Sequence, residues 1–174
     1  MTIYDENLKL VKRIDSISDE GFSPIGIALN LDEEKFFITD NDNHRILMTD
    51  FEFNLIKSIG SAGTDICQFD GPYDLCLAIS NLYVSDYYNK HVYSKGLEFL
   101  KLLKLDYSPW KVNASNSMLF IHSNCGIYFY YLDDLQFFQR LDHTICRISE
   151  INSNIFELNH EAIKNYFAMT KMQI

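Results

Sequence analysis

An all-β repeat protein is what this sequence predicts, and three observations carry the prediction. The first is Phe36–Met48, which reads as strand, tight polar turn, strand. Phe37 and Thr39 fall on one face of an extended chain, Phe36 and Ile38 on the other. Asp40 ends the strand and is suited to accept backbone N–H groups from the turn, where Asn41, Asp42 and Asn43 tolerate unusual dihedrals. Arg45 can reach back to Asp40 as a charged donor. The second is a repetition: Leu82–Tyr93 spells the same pattern, with Asp86 falling 46 residues after Asp40. A period of that size marks a propeller blade or another sheet repeat. The third is composition. Aromatics make up 14% of the 174 residues, with 13 Phe and 11 Tyr, which suits pleated, half-buried strands. Only 7 Gly and 3 Pro occur, so Asn and Asp carry much of the turn work. Together these predict a β-propeller of about four blades, each an antiparallel four-stranded sheet, forming a partial or small ring.

The chain divides as follows. Residues 1–20 read as two N-terminal strands of an incomplete blade: Ile3-Tyr4, a turn at Asp5-Glu6-Asn7, and Leu8–Ile14. Residues 21–69 form the first full unit. Its strands are Ile25–Leu29, Phe36–Asp40, the return strand through Ile46 and Met48, and Leu55–Ile59. Residues 70–107 form the second, starting at Phe69-Asp70-Gly71-Pro72, with Pro72 48 residues after Pro24. Its strands are Tyr73–Ala78, Leu82–Asp86, Val92–Ser94 and one within Leu97–Leu103, where a helix is also conceivable. Residues 108–143 are a degenerate unit with Pro109 37 residues after Pro72; Met118–Ile121, Ile127–Tyr131 and Phe137–Leu141 read as strands, and the aspartate is gone at His122-Ser123-Asn124. Residues 144–174 are the most decayed, with strands expected at Ile145–Ile148 and Asn154–Leu158 and a third at Glu161–Met169, where helical spacing also fits.

Residues 3–107 resemble NHL repeats. The matching pieces are Gly21–Ala28, Phe37–Ile46 with its Asp-x-x-Asn-His-Arg-Ile run, and Ile59–Gly63 leading to Gln68–Pro72. Val84–Val92 is a looser copy, with Lys90-His91 where the family has His-Arg. The resemblance implies a propeller, usually of six blades, and makes Asp40, Asn43, His44, Arg45, Asp86, Asn89 and His91 residues of the structural repeat. Each blade exposes apolar faces that only neighbouring blades cover. A ring of four closes if residues 3–14 complete the last blade beside 144–158, which removes the open edges. Otherwise the chain is an open arc, a fragment, or half of a dimeric ring, with self-association through an open blade edge.

Charge and cysteine usage narrow the function. The net charge of −9 disfavours binding phosphate backbones. No apolar run approaches the ~18 residues of a membrane span. Residues 1–20 carry six or more charges in place of a leader's apolar core, and the four cysteines (Cys67, Cys76, Cys125, Cys146) form no C-x-x-C pair. A cytoplasmic protein with free thiols, no cofactor and no membrane partner is therefore expected.

No catalytic motif stands out. Ser61 in Gly60-Ser61-Ala62-Gly63 is neither a nucleophile elbow nor part of a phosphate loop. Asp19-Glu20, Asp32-Glu33-Glu34 and Asp133-Asp134 read as solvated turns. His44, His91, His122, His143 and His160 show no zinc spacing, although three imidazoles meeting in a propeller channel would make a metal site. The polar repeat residues are first of all satisfied turns. Tyr87, Tyr88, Trp110 and Tyr131 are large aromatics near turns or strand ends, and they are the candidate interface anchors. The expected function is a non-catalytic module binding a protein partner. The resemblance further implies the substrate-recognition part of a tripartite-motif type ubiquitin ligase, whose RING this chain lacks the cysteines to form. RNA binding through a basic face and a metal-dependent lyase or hydrolase are the alternatives that the family resemblance offers.

Overall fold

The computed structural model describes residues 1–4, 6–17, 21–79, 81–95, 99–115 and 117–142. Among them the chain forms fourteen strands. A hairpin pairs β1 (Thr2–Tyr4) with β2 (Leu10–Arg13). Three four-stranded antiparallel meanders follow. The first blade is β3 (Pro24–Asn30), β4 (Lys35–Asp40), β5 (Arg45–Asp50) and β6 (Leu55–Ile59). The second is β7 (Pro72–Ala78), β8 (Asn81–Asp86), β9 (His91–Lys95) and β10 (Phe99–Lys104). The third is β11 (Lys111–Ala114), β12 (Met118–Ser123), β13 (Gly126–Tyr131) and β14 (Phe137–Asp142). The segment read as strand or helix around Leu97–Leu103 thus carries a strand. The expected fourth unit, residues 144–174, and its clasp with the N-terminal hairpin lie outside the described residues.

Strand alternation makes the stack. In the second blade Leu75, Leu77, Leu82, Val84, Tyr93 and Leu102 point toward the first blade, where they meet Ala28, Phe37, Ile46 and Ile59. Their neighbours Cys76, Ala78, Tyr83, Val92 and Leu103 point the other way, against Val112, Leu119, Ile121, Tyr128 and Tyr130 of the third. Period-two strands that are apolar on both faces are what a sheet sandwiched between two sheets requires. The third blade repeats the device: Met118 and Phe120 are buried on its opposite face, beside Phe129 and Leu141. The first blade differs. Ile25, Ile27 and Leu29 of β3 remain exposed.

The first strand of each blade, β3, β7 and β11, is the one through which neighbouring blades meet along their length. Gly26 has to be glycine there, because a Cβ would lie 2.8 Å from the Asp74 backbone. Asp74 ties β7 to β11 by accepting the Val112 N–H at 3.2 Å. Burial raises the pKa of this carboxyl, while that hydrogen bond pulls it the other way.

Candidate functional site

The two copies of the repeat motif build the same joint. Both inner strands carry a bulge just after their proline, between Pro24 and Ile27 and between Pro72 and Asp74. A bulge leaves a backbone N–H without its ladder partner. The hydroxyl one residue before each motif aspartate takes it: Thr39 Oγ1 accepts from Gly26 N at 2.7 Å, and Ser85 Oγ from Asp74 N at 3.0 Å. The aspartate then closes the end of the sheet. Asp40 accepts the Ser23 N–H at 2.8 Å and the Asn43 side-chain amide at 3.0 Å. Asp86 accepts the Asp70 N–H at 2.9 Å and the Asn89 amide at 2.8 Å. The next residue after each asparagine is left-handed, His44 at φ 52 and Lys90 at φ 56, which turns the chain into its return strand.

The copies part company at the cation. Arg45 Nε sits 2.8 Å from Asp40 Oδ2, with both side chains buried. In the second copy His91 holds that position, and its Nδ1 lies 3.4 Å from the Tyr93 hydroxyl. Burial and the positive charge of Lys104 lower the His91 pKa. Asp86 is thus fully buried, hydrogen-bonded to Asp70 and Asn89 and without a guanidinium, and burial pushes its pKa up to about 7 against the pull of the Asn89 and Asp70 bonds. His44 serves the joint between blades: its Nδ1 accepts the Gly71 N–H at 3.2 Å. That nitrogen then carries no proton, so its 3.5 Å approach to Asp70 Oδ1 is not an ion pair. In the third blade Ser123 stands where the aspartate was, accepting the Cys125 N–H at 3.0 Å across a shortened turn.

On top of the second joint stand exposed aromatics. Tyr87 and Tyr88 occupy the places of Asn41 and Asp42 in the first copy. In the first copy Asn41 donates to Pro72 O at 3.2 Å, a bond between blades; in the second, rings project instead. Tyr87 lies 4.9 Å from Tyr88, 5.6 Å from Tyr73 and 6.5 Å from Trp110, centre to centre. Tyr88 is 66% and Trp110 46% exposed. Gly71, at φ 70, makes room for this: a Cβ there would sit 2.7 Å from the Tyr88 ring. Three of the four aromatics expected as anchors therefore gather on one end of the stack. The fourth, Tyr131, does not. It ends β13 at the opposite end, packed 5.2 Å from Phe138. Tyr73, expected as a strand residue, joins this cluster because it directly follows Pro72 at the end of an inner strand.

Among the described residues no three of His, Cys, Asp or Glu converge on a point where a metal ion would bind. His143 and His160 lie outside the described residues. Cys67, Cys76 and Cys125 are free thiols, and burial pushes the Cys76 pKa up to about 12. No described helix is long and apolar enough to cross a membrane.

No known protein family matches the chain, and no curated protein does. Solved structures do match in fold. Hydrazine synthase of Kuenenia stuttgartiensis aligns with a TM-score of 0.57 at 14% identity, over 76% of this chain and 39% of that one. A nidogen/laminin complex, which contains a propeller, aligns with a TM-score of 0.58 at 13% identity, over 74% of this chain and 51% of that one. The chain therefore spans about two fifths and about half of the length of these two structures. With three four-stranded meanders joined through their first strands, the likeness establishes an all-β chain of propeller blades.

Proposed function

We propose that this protein is a non-catalytic interaction module that binds a protein partner through the end face carrying Tyr73, Tyr87, Tyr88 and Trp110. One observation carries the reading: a contiguous set of tyrosines and a tryptophan stands partly in solvent on a turn that buried Asp86 ties to half-buried Asn89. Tyr and Trp are the residues that most often dominate binding energy, because they bury large area at small entropic cost. In the first copy the same turn carries Asn and Asp, so the repeat does not need rings there. The likeness of residues 3–107 to NHL repeats supports the finer reading of a substrate-recognition part of a ubiquitin-ligase type protein, working in the cytoplasm.

The test is affinity capture with the full chain and with a Tyr88→Ala/Trp110→Ala variant whose thermal unfolding matches the parent. Partners retained by the parent and lost by the variant support the face. An identical set of partners on both overturns it. Exposed rings also stack on nucleobases, which keeps RNA as the second reading, against the net charge of −9. A gel shift of single-stranded RNA that the same double variant abolishes would favour RNA over protein.

A further inference from the structure

The opposite end of the stack carries a groove unrelated to the aromatic face. It consists of two open cavities of about 680 and 470 Å³ that meet at Ile79. The smaller lies between the first two blades, with Leu29 and Leu77 in its wall. The larger lies between the second and third, lined by Tyr83, Tyr131 and Leu132. Tyr131, the anchor candidate that the aromatic cluster leaves out, thus belongs here.

Two features say what the groove fits. The first is Ile79. It is 63% exposed at the tip of the β7–β8 turn and held at φ 48. A β-branched residue in the left-handed region is strained, and glycine or asparagine would turn the chain at lower cost. An apolar side chain kept out in water at such a position is costly twice over unless something packs on it. The second is charge. The β3–β4 turn carries Asp32, Glu33 and Glu34 and the β13–β14 turn Asp133 and Asp134; neither turn contains a lysine or arginine, and Lys35 at the start of β4 is engaged with Glu33 at 2.7 Å. An acidic rim around an apolar floor complements a ligand with the reverse pattern.

We infer that this groove docks an extended peptide segment of a partner protein in which lysine or arginine flanks an apolar residue. The apolar side chain packs on Ile79 between the blades, and the flanking cations lie along the carboxylates of the β3–β4 and β13–β14 turns.

The test uses the full chain and two fluorescein-labelled probe peptides, one alternating lysine with leucine and one alternating glutamate with leucine, read by anisotropy. Trp110 is the sole tryptophan and lies at the other end, so its fluorescence serves as the silent control. The lysine peptide binds and the glutamate peptide does not. Ile79→Asn, which suits the left-handed turn, leaves thermal stability unchanged or higher and weakens the lysine peptide about tenfold. Asp32→Asn/Asp133→Asn weakens it by a similar factor, whereas Asp15→Asn/Asp42→Asn removes equal charge elsewhere and changes nothing. Tyr88→Ala/Trp110→Ala also changes nothing, which separates this groove from the aromatic face. Equal binding of both peptides, or undiminished binding by Ile79→Asn, overturns the inference.

Discussion

Asp86 is the residue whose substitution tests the repeat logic most directly. It is fully buried and bonded only to uncharged donors of Asp70 and Asn89, and burial pushes its pKa up to about 7 from the usual 3.8. A raised pKa means that the folded chain holds this proton where the unfolded chain has released it. The stability Asp86 contributes is therefore fully present below about pH 4, declines as the pH rises, and is lost once the pH has passed the folded value near 7. About three pH units of difference correspond to at most ~4 kcal/mol, a ceiling that local relaxation lowers. The substitution is Asp86→Asn, which keeps the acceptor for the Asp70 N–H and cannot ionise. Urea unfolding of parent and variant between pH 4.5 and 8.5 reads the effect as a difference, so every other titrating carboxyl, Asp74 included, cancels. We expect the parent to lose stability relative to the variant at up to ~1.4 kcal/mol per pH unit across this window, with a plateau at its alkaline end. Parallel pH profiles for the two proteins would refute the reasoning, because Asp86 would then be ionised in the folded state like an exposed carboxylate.

Other expectations follow from the same joints. His91→Arg places a guanidinium where Arg45 stands in the first copy; it should flatten the Asp86-dependent part of the pH profile and raise stability at pH 8 by ~1–2 kcal/mol, measured by the same titration. Arg45→Leu strips Asp40 of its buried partner at 2.8 Å and should cost ~3–5 kcal/mol in urea unfolding, with an equal effect of Arg45→Lys refuting a bidentate-independent charge role for the pair. Gly26→Ala brings a methyl to 2.8 Å from the Asp74 backbone and should lower stability by ~1–3 kcal/mol, seen as a reduced melting temperature. Tyr107→Phe removes the hydroxyl 3.0 Å from that of Tyr130 in the core between the second and third blades, and should cost ~1 kcal/mol by denaturant titration.

Much of the local structure was legible because it is written at short range. The Asp40–Asn43 bracket spans three residues and the Asp40–Arg45 pair five, so the motif itself names its partners. The spacing of Pro24 and Pro72 located the inner strands that both prolines begin. The third unit lacks that signature: with Ser123 in place of the aspartate and a shorter turn, its first strand, Lys111–Ala114, has no motif to mark it. Strand direction is the signal that sets Tyr131 apart. A third strand runs back from the end where Tyr87 and Tyr88 sit, so its last residue must lie at the other end.

The repeating unit is written in the chain itself: a meander of period-two strands, closed by an aspartate that its own turn satisfies. Those facts depend on covalent neighbours and on the pleat, which any window of the chain displays. Which aspartate has a cation, which rings share a face, and that Leu29, Leu77 and Ile79 line one groove follow from how the blades stack. These are distances between separate blades, set by how the apolar faces of whole sheets stack, and no local pattern encodes them.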